Sequence, residues 1–438
     1  MLKRIKIQGY KSLVDVEVHL GHLAVLIGPN ASGKSNFLDA LQLLSRIATC
    51  RTLREAFAPH RGYPLESFTF GPEGIKTLRQ QEKVSFCIET DVQLSPTVVE
   101  KVNRQIQRMK SIPTTDVGDK GNSTSKRLLP VREGNLRYRI EIEMLPKQGI
   151  LRVADEYLAA LNAKGEVKQN RKPFLERVGS QILMRLEGEA RSICYDCPLD
   201  QSILSMQYSP IHYPHIAAMH HELANWFTHY FEPRERMRLP APAKEVTHIG
   251  SMGEELASYL HTLKTHNERQ FESIEKALHS IIPSITGIEV DISELGEAEL
   301  NLREGEKGMS IRVLSEGTLR ILGLLALVGS KEPPALIGFE EPENSVHPRQ
   351  INRIAKFLDA RRLLERTQYI VTTHSSLLLE FIRPEFFYVC RKVDGNTTIE
   401  SFLTRMQSLW PKLDINEELE NEDEMSRPKR ILRGDLDV

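Results

Sequence analysis

The 438-residue chain has few cysteines and no long apolar run, and both absences exclude classes of protein. Five scattered cysteines are too few for the disulfide framework of a secreted domain, which predicts a reducing compartment. No stretch reaches the ~18 apolar residues of a membrane-spanning helix, and residues 1–12 lack the apolar core of a signal peptide. We therefore expect a cytoplasmic protein without a membrane partner.

The chain also lacks an excess of charge of either sign. Lys and Arg total 58 and Asp and Glu total 59, so no global basic field favours nucleic acid and no acidic field opposes it. Any DNA-binding surface must be a local patch. With 40% hydrophobic residues, the chain can bury a large core, and its length predicts two structural units.

The sequence does contain the pattern of a phosphate-binding loop. The residues GPNASGKS (28–35) follow the pattern of two glycines that flank four residues, then a lysine and a hydroxyl. A buried strand, LAVLI, is predicted before the loop and an amphipathic helix, starting near Gly33, after it, so that backbone N–H groups face one anion. Lys34 is expected to reach the β- and γ-phosphates and Ser35 to bind Mg²⁺. The predicted nucleotide-binding residues of this loop are Gly28, Asn30, Gly33, Lys34, Ser35 and Asn36.

Two carboxylates follow the apolar run ALIGF (335–339), at the edge of the sheet where the phosphate loop also opens. Hydrolysis needs an acid that holds the metal and a group that orients water. Glu340 is expected to bind Mg²⁺ or its water shell, and Glu341 to act on the attacking water. His374 ends the predicted strand QYIVTTH, where it can sense a γ-phosphate. Taken singly, these residues also suit a solvated turn or a capped strand end.

The segment LSEGT (314–318) precedes a strongly apolar helix, so Ser315 either faces a phosphate or caps the helix. Four motifs follow one another along the chain: the glycine loop, LSEGT, LIGFEEPE and TTHS. In this order they resemble, respectively, the phosphate loop, the signature, the metal-acid strand and the switch histidine of ABC-class ATPases. Residues 1–48 resemble the SMC- and RecF-related branch of that class. Within the branch, the chain is similar to predicted ATPases that resemble the ATPase part of the overcoming-lysogenization-defect (OLD) proteins.

The alternation of strands and helices in the last third predicts a parallel sheet covered by helices. The resemblance implies the same α/β class: an ABC-type P-loop ATPase head, a mixed or parallel sheet with flanking helices, and an inserted α+β lid or arm domain. A long helical stretch is expected from about Met252 to Ile282. The expected domains are the N-terminal part of the head (1–64), the insertion (65–300), the C-terminal part of the head (301–405) and a tail (406–438).

The resemblance also implies roles for residues, with ATP and Mg²⁺ as ligands. Ser315 and Gly317 would meet the γ-phosphate of ATP held by a second protomer, Glu341 would activate water, and His374 would polarise or sense the γ-phosphate. Cofactor binding would involve the loop residues named above, and metal binding Ser35 and Glu340.

Two residues depart from the class pattern, and three further patterns stay open. Glu340 stands where most members have aspartate, and Glu316 replaces the first signature glycine. A Cys-x-x-Cys pair is followed by two histidines that are closer together than in the usual zinc finger. For a group of basic residues, a solvated loop is favoured over a DNA contact. The open sets are Gln80, Gln81 and Gln93 for a glutamine loop; Cys194, Cys197, His212 and His215 for zinc; and Arg104, Arg108, Lys110, Lys120, Lys126 and Arg127 for DNA.

The predicted function is Mg²⁺-dependent ATP hydrolysis that switches a head-to-tail dimer or higher oligomer. The ATPase would time a DNA-directed antiviral-defence complex with a separately encoded nuclease or other effector, because the 64 residues after His374 are too few for a Toprim nuclease domain. DNA is a candidate partner, and the sequence leaves open whether the chain binds it directly. The alternatives are a RecF-type repair ATPase, a non-hydrolysing nucleotide-bound scaffold and, disfavoured by the long separation of Lys34 from Ser315, a transporter subunit.

Overall fold

The computed structural model describes residues 1–71, 73–110, 130–186, 192–196, 199–206, 208–328, 333–362 and 366–409. The strands are β1 (Leu2–Tyr10), β2 (Leu13–His19), β3 (Leu23–Ile27), β4 (Val84–Gln93), β5 (Asn135–Leu145), β6 (Ile150–Ala160), β7 (Leu175–Val178), β8 (Gln181–Arg185), β9 (Ser192–Asp196), β10 (Trp226–His229), β11 (Ala241–Pro242), β12 (Gly287–Ile292), β13 (Glu297–Glu304), β14 (Lys307–Ser310), β15 (Leu336–Glu340), β16 (Gln368–Thr373), β17 (Phe387–Val393) and β18 (Asn396–Ser401). The helices are α1 (Lys34–Thr49), α2 (Leu53–Phe57), α3 (Ile75–Gln80), α4 (Pro96–Lys110), α5 (Pro214–Ala224), α6 (Leu256–His266), α7 (Glu268–Ile281), α8 (Glu316–Val328), α9 (Pro348–Arg362), α10 (Ser376–Leu379) and α11 (Phe402–Leu409).

The chain forms two compact units, each assembled from separate segments. The first unit contains Met1–Leu20, Asp39–Trp226 and Val393–Thr398, and the second contains Gly21–Leu38, Phe227–Lys392 and the chain from Ile399. Residues of the predicted insertion, 65–300, are therefore divided between the two units. None of the helices in the described part of the chain is long and apolar enough to cross a membrane.

Most of a six-stranded sheet in the order β10-β15-β16-β3-β17-β18 belongs to the second unit. Strands β15, β16, β3 and β17 run parallel. Every residue of β3 and β16 is buried, as expected for parallel strands covered on both faces. The residues that follow β15, β16 and β3 consequently meet at one edge of the sheet, and the predicted α/β class is confirmed.

A second, smaller sheet in this unit has the order β11-β13-β12, with β14 paired to β13, and α6 and α7 pack against it. The long helical stretch predicted from about Met252 to Ile282 is wrong in detail, because α6 ends at His266, α7 begins at Glu268 and Asn267 lies between them. The Asn267 backbone is non-helical, with φ −153° and ψ 65°. Asparagine favours such breaks because its side chain competes for local hydrogen bonds.

The first unit is built on an eight-stranded antiparallel sheet in the order β2-β1-β4-β5-β6-β7-β8-β9. Much of β4 and β5 alternates buried with partly exposed residues, the pattern of strands with one face on a core. Helices α4 and α5 pack against each other in the same unit.

A fully buried carboxylate, Glu156 of β6, joins this sheet to the segment at 202–205. Its oxygens accept hydrogen bonds from Tyr138 Oη (2.8 Å), Ser202 Oγ (2.7 Å), Ile203 N (2.7 Å) and Leu204 N (3.3 Å). Burial raises the pKa of Glu156, and these hydrogen bonds oppose that rise. The side chain thus satisfies four buried donors from two parts of the chain.

We expect Glu156→Ala to lower the free energy of unfolding by about 3 kcal/mol, because the buried donors lose their acceptor. Urea denaturation of the variant and of Glu82→Ala, which removes an exposed carboxylate beside β4, measures the difference. If both variants lose less than about 0.5 kcal/mol, the range of ordinary surface substitutions, the buried network does not stabilise the unit.

Candidate functional site

The phosphate loop connects β3 to α1 in a conformation that requires glycine at two positions. Gly33 has φ 99°, a left-handed value that side-chain-bearing residues rarely adopt. A Cβ atom on Gly28 would lie 2.2 Å from the carbonyl oxygen of Cys390, so the loop backbone lies against the neighbouring strand β17. The N-terminus of α1, where intrahelical acceptors are missing, follows directly at Lys34. Asn30 is exposed in the loop, and Asn36 is half-buried in the first turn of α1.

The Lys34 ammonium lies across this loop and is almost completely buried. Its Nζ donates to the carbonyl oxygens of Gly28 (2.8 Å) and Pro29 (2.9 Å), and the residue is 5% exposed. Burial lowers the pKa of Lys34, while the negative charges of Glu341 and Glu340 oppose that effect. A desolvated ammonium at the mouth of a glycine loop fits a bound phosphate, because the anion would supply the charge that burial leaves uncompensated.

The predicted metal-binding pair is in contact. Ser35 Oγ donates a hydrogen bond to Glu340 Oε1, although the two residues are far apart in sequence. Glu340 is the last residue of β15 and pairs in register with Thr372 of β16, whose next residue, Thr373, pairs with Ile27 of β3. Hydroxyl and carboxylate oxygens are the donor type that Mg²⁺ prefers. Within the described residues, no group of three or more His, Cys, Asp and Glu side chains is placed to hold a metal.

Glu341 lies in a strained turn directly after β15. Its φ of 48° is left-handed, and its backbone N–H donates to Thr372 O at 3.0 Å. The carboxylate accepts from Asn344 Nδ2 at 2.7 Å through Oε2, and His374 Nδ1 lies 2.8 Å from Oε1. Burial alone would raise the pKa of Glu341, but the contacts with Asn344 and His374 bring it below the ordinary value. The side chain is therefore ionised, oriented and partly accessible, as a proton acceptor requires.

Sequence reasoning missed Glu343, which is 6% exposed. It accepts a hydrogen bond from Thr373 Oγ1, and burial raises its pKa. Thr373 Oγ1 in turn accepts from Ser375 N at 2.9 Å. These contacts tie the loop after β15 to the residues on either side of His374. The only signal in the sequence was a third acid in the run EEPE, which resembles a solvated turn.

The signature residues form a second group around the N-terminus of α8. Ser315 Oγ caps the helix by accepting from Thr318 N at 3.2 Å. A Cβ atom on Gly317 would lie 2.5 Å from Ser345 O, so the glycine allows close backbone packing. The Glu316 carboxylate accepts from Ser345 Oγ at 3.0 Å. The structure thus joins the signature to the loop that carries Glu341, and the role of Ser315 toward a second protomer stays a prediction.

The weaker patterns lie in the first unit. Cys197 is outside the described residues, and His215 is buried, with Nε2 accepting from the amides of Arg132 (3.2 Å) and Glu133 (3.0 Å). Of the basic residues considered for DNA, Arg104, Arg108 and Lys110 lie on α4, and Lys120, Lys126 and Arg127 are outside the described residues. Gln80 and Gln81 lie at the end of α3, and Gln93 ends β4.

Two protein-family models match the chain. Residues 1–117 match the model described as "AAA ATPase domain", and residues 201–380 match "AAA domain, putative AbiEii toxin, Type IV TA system". The phosphate loop lies in the first segment, and the remaining predicted site residues lie in the second.

Two curated proteins are similar over parts of the chain. "Chromosome partition protein Smc" of Desulfitobacterium hafniense is 28% identical over 215 residues, which are 43% of this chain and 17% of that protein. "OLD nuclease" of Thermus scotoductus is 39% identical over 44 residues, which are 10% of this chain and 8% of that protein. The alignments thus span less than a fifth of the length of either relative.

Solved SMC head domains are also similar. An SmcHead bound to the C-winged helix domain of ScpA has a TM-score of 0.49 at 12% identity and covers 91% of this chain and 97% of its own. An Smc head with an extended coiled coil, bound to the C-terminal domain of ScpA derived from Pyrococcus furiosus, has a TM-score of 0.47 at 12% identity, covering 93% and 98%. The family and sequence matches confirm the predicted resemblance: two segments of the chain match AAA ATPase models, and parts of it are similar to an Smc protein and to an OLD nuclease.

Proposed function

We propose that the chain binds Mg·ATP and hydrolyses it. The observation that supports this most directly is the meeting of Ser35 with Glu340 and of Glu341 with His374 at one edge of the sheet. A glycine turn or a capped strand end, taken alone, can be explained by local backbone structure. Local structure does not explain why a buried lysine, a hydroxyl–carboxylate pair and an oriented, ionised glutamate lie together at this edge of the sheet.

Each residue has one task in this proposal. Lys34 and the loop amides bind the phosphates, and Ser35 and Glu340 hold Mg²⁺, which neutralises charge on the β- and γ-phosphate oxygens when bound. Glu341 accepts a proton from the attacking water, and His374 keeps the carboxylate directed at it.

We further propose that two copies associate head to tail. Ser315 and Gly317 of one copy meet the ATP held by the other, so that ATP binding closes the dimer and hydrolysis opens it. This cycle would control a DNA-directed complex, in anti-phage defence, with a separately encoded nuclease or other effector. The support for this part is the resemblance to SMC and OLD proteins, and DNA repair of the RecF type is the alternative.

A mixing experiment tests the shared site. Ser315→Arg and Lys34→Ala are each expected to lack ATPase activity, and an equimolar mixture is expected to recover part of it, because mixed dimers contain one intact composite site. Ser273→Arg, which places the same bulk and charge on an exposed position of α7, is the control and should stay active. Full activity of Ser315→Arg alone would leave Ser315 as a helix cap only.

A second experiment separates the ATPase from the effector. We expect the purified chain to hydrolyse ATP slowly and not to cut plasmid or linear DNA in Mg²⁺ or Mn²⁺, because the carboxylates that we assign serve Mg·ATP. DNA cleavage that copurifies with the chain and persists in Glu341→Gln would contradict this division of labour and favour an intrinsic nuclease.

A further inference from the structure

Residues 231–238, FEPRERMR, contact the turn that leads into the signature. The Arg238 guanidinium donates to Arg312 O and Leu314 O, both at 2.6 Å, and to Pro233 O at 2.8 Å. The planar guanidinium thus binds three carbonyl oxygens, and two of them, on Arg312 and Leu314, belong to the backbone just before Ser315. Arg238 therefore fixes that part of the backbone. We call residues 231–238 the signature clamp.

A second arginine of the signature clamp pairs with the unusual acid of the signature. Arg234 Nε lies 2.7 Å from Glu316 Oε1, and 78% of the Arg234 side chain is exposed. The hydrogen bonds from Arg234 and Ser345 lower the pKa of Glu316. Exposed ion pairs contribute little to folding stability, so stability alone does not account for an arginine held at this position.

The carboxylate of Glu316 creates an electrostatic problem at this turn. It occupies the first turn of α8, where the helix N-terminus would otherwise favour an anion. In the proposed dimer the same turn receives the triphosphate of a second copy, and a free carboxylate there would repel it.

The adjoining cavity carries a second cation. It has a volume of about 430 Å³, and the charged groups in its lining are Arg234, Arg320, Glu316 and Glu232. The Glu232 carboxylate accepts hydrogen bonds from the backbone amides of Glu235 (2.9 Å) and Arg236 (2.8 Å). Arg320, one turn along α8 from Glu316, is 8% exposed, and its Nε has no hydrogen-bond partner among the described residues. Burial lowers the pKa of Arg320, and nearby acids, Glu316 among them, oppose the change. The positive charges of Arg234 and Arg320 therefore both offset the negative charge of Glu316.

We infer that Arg234 is a positioning residue that neutralises Glu316 and so allows the signature to accept the phosphates of ATP bound to a second copy of the chain. This inference rests on the proposed function. It assigns a role to the signature clamp that the motif order does not suggest, and it explains how a glutamate is tolerated in place of a signature glycine.

The test compares four variants: Arg234→Ala, Glu316→Ala, the double variant and Arg234→Lys. Arg236→Ala, an exposed arginine two residues along the clamp, is the matched control. For each we measure ATP affinity, ATP hydrolysis, and ATP-dependent association by sedimentation in the Glu341→Gln background, at low and high salt. ATP affinity reports on the phosphate loop, whereas association reports on the signature.

Arg234→Ala is expected to reduce association and hydrolysis at least tenfold, with ATP affinity within about twofold of wild type. Glu316→Ala and the double variant should both stay near wild type, since no carboxylate then needs an arginine. Arg234→Lys should retain most activity, and high salt should narrow the gap between Arg234→Ala and wild type.

An Arg234→Ala substitution that impairs Glu316→Ala as much as it impairs the wild type, or an Arg234→Ala variant that behaves like Arg236→Ala, would overturn the inference while leaving the proposed dimer intact. A wild-type chain that binds ATP but neither associates nor hydrolyses it would refute the proposed function, and this inference with it.

Discussion

Lys34→Ala is expected to abolish measurable ATP binding in a folded protein. The ammonium is 5% exposed and is held across the loop by two carbonyl oxygens, so it reaches a bound phosphate already oriented and desolvated. Loss of two or more charge-assisted hydrogen bonds corresponds to about 3 kcal/mol or more, which is on the order of a hundredfold or more in affinity.

Isothermal titration with ATP and Mg²⁺ measures this effect directly. Lys356→Ala, which removes an exposed lysine from α9 in the same unit, is the matched control and should bind ATP normally. Thermal unfolding of both variants shows whether the loop substitution leaves the fold intact. Near-normal affinity of a folded Lys34→Ala protein would mean that the loop does not hold the phosphates.

Glu341→Gln is expected to bind ATP normally and to hydrolyse it at least about a hundredfold more slowly, because an amide cannot accept the proton of water. The substitution preserves shape, and the amide oxygen can still accept from Asn344, so the strained turn should persist. Because the pKa of Glu341 is lowered, the wild-type carboxylate is ionised at neutral pH and the whole effect should appear there. The variant should also accumulate the ATP-bound dimer.

The neighbouring acid provides the comparison. Glu340→Gln should raise the Mg²⁺ concentration needed for activity, because Glu340 contacts Ser35 in the predicted metal pair. Glu306→Gln, in the exposed turn between β13 and β14, should change neither quantity. If Glu341→Gln hydrolyses ATP at the wild-type rate and Glu340→Gln does not, the two carboxylates have exchanged roles.

The local parts of the site follow from the sequence alone. A buried run, a glycine loop and an amphipathic helix are adjacent in the chain, so Gly28, Gly33 and Lys34 could be assigned before their conformation was known. The need for glycine at Gly28 and Gly33 and the burial of Lys34 arise within the loop itself or from the adjacent strand β17. The positions of Glu340 and His374 at strand ends were predictable for the same reason.

The contacts between these parts depend on strand order, which no local pattern encodes. Only the sheet places β16 between β15 and β3, and this brings His374 to Glu341 and Glu340 to Ser35. The hydrogen bond that Glu343 accepts likewise comes from Thr373 of the neighbouring strand.

Two further features were not visible in the sequence pattern. Arg234 of the signature clamp pairs with Glu316 of α8, although the two residues are far apart in the chain. The helix break at Asn267 lies inside a stretch whose residue spacing predicts a continuous helix. The sequence by itself determined which elements carry the residues to which we assign phosphate and metal binding. The tertiary structure decided which of them meet, because burial and charge compensation between distant segments are set by packing rather than by residue spacing.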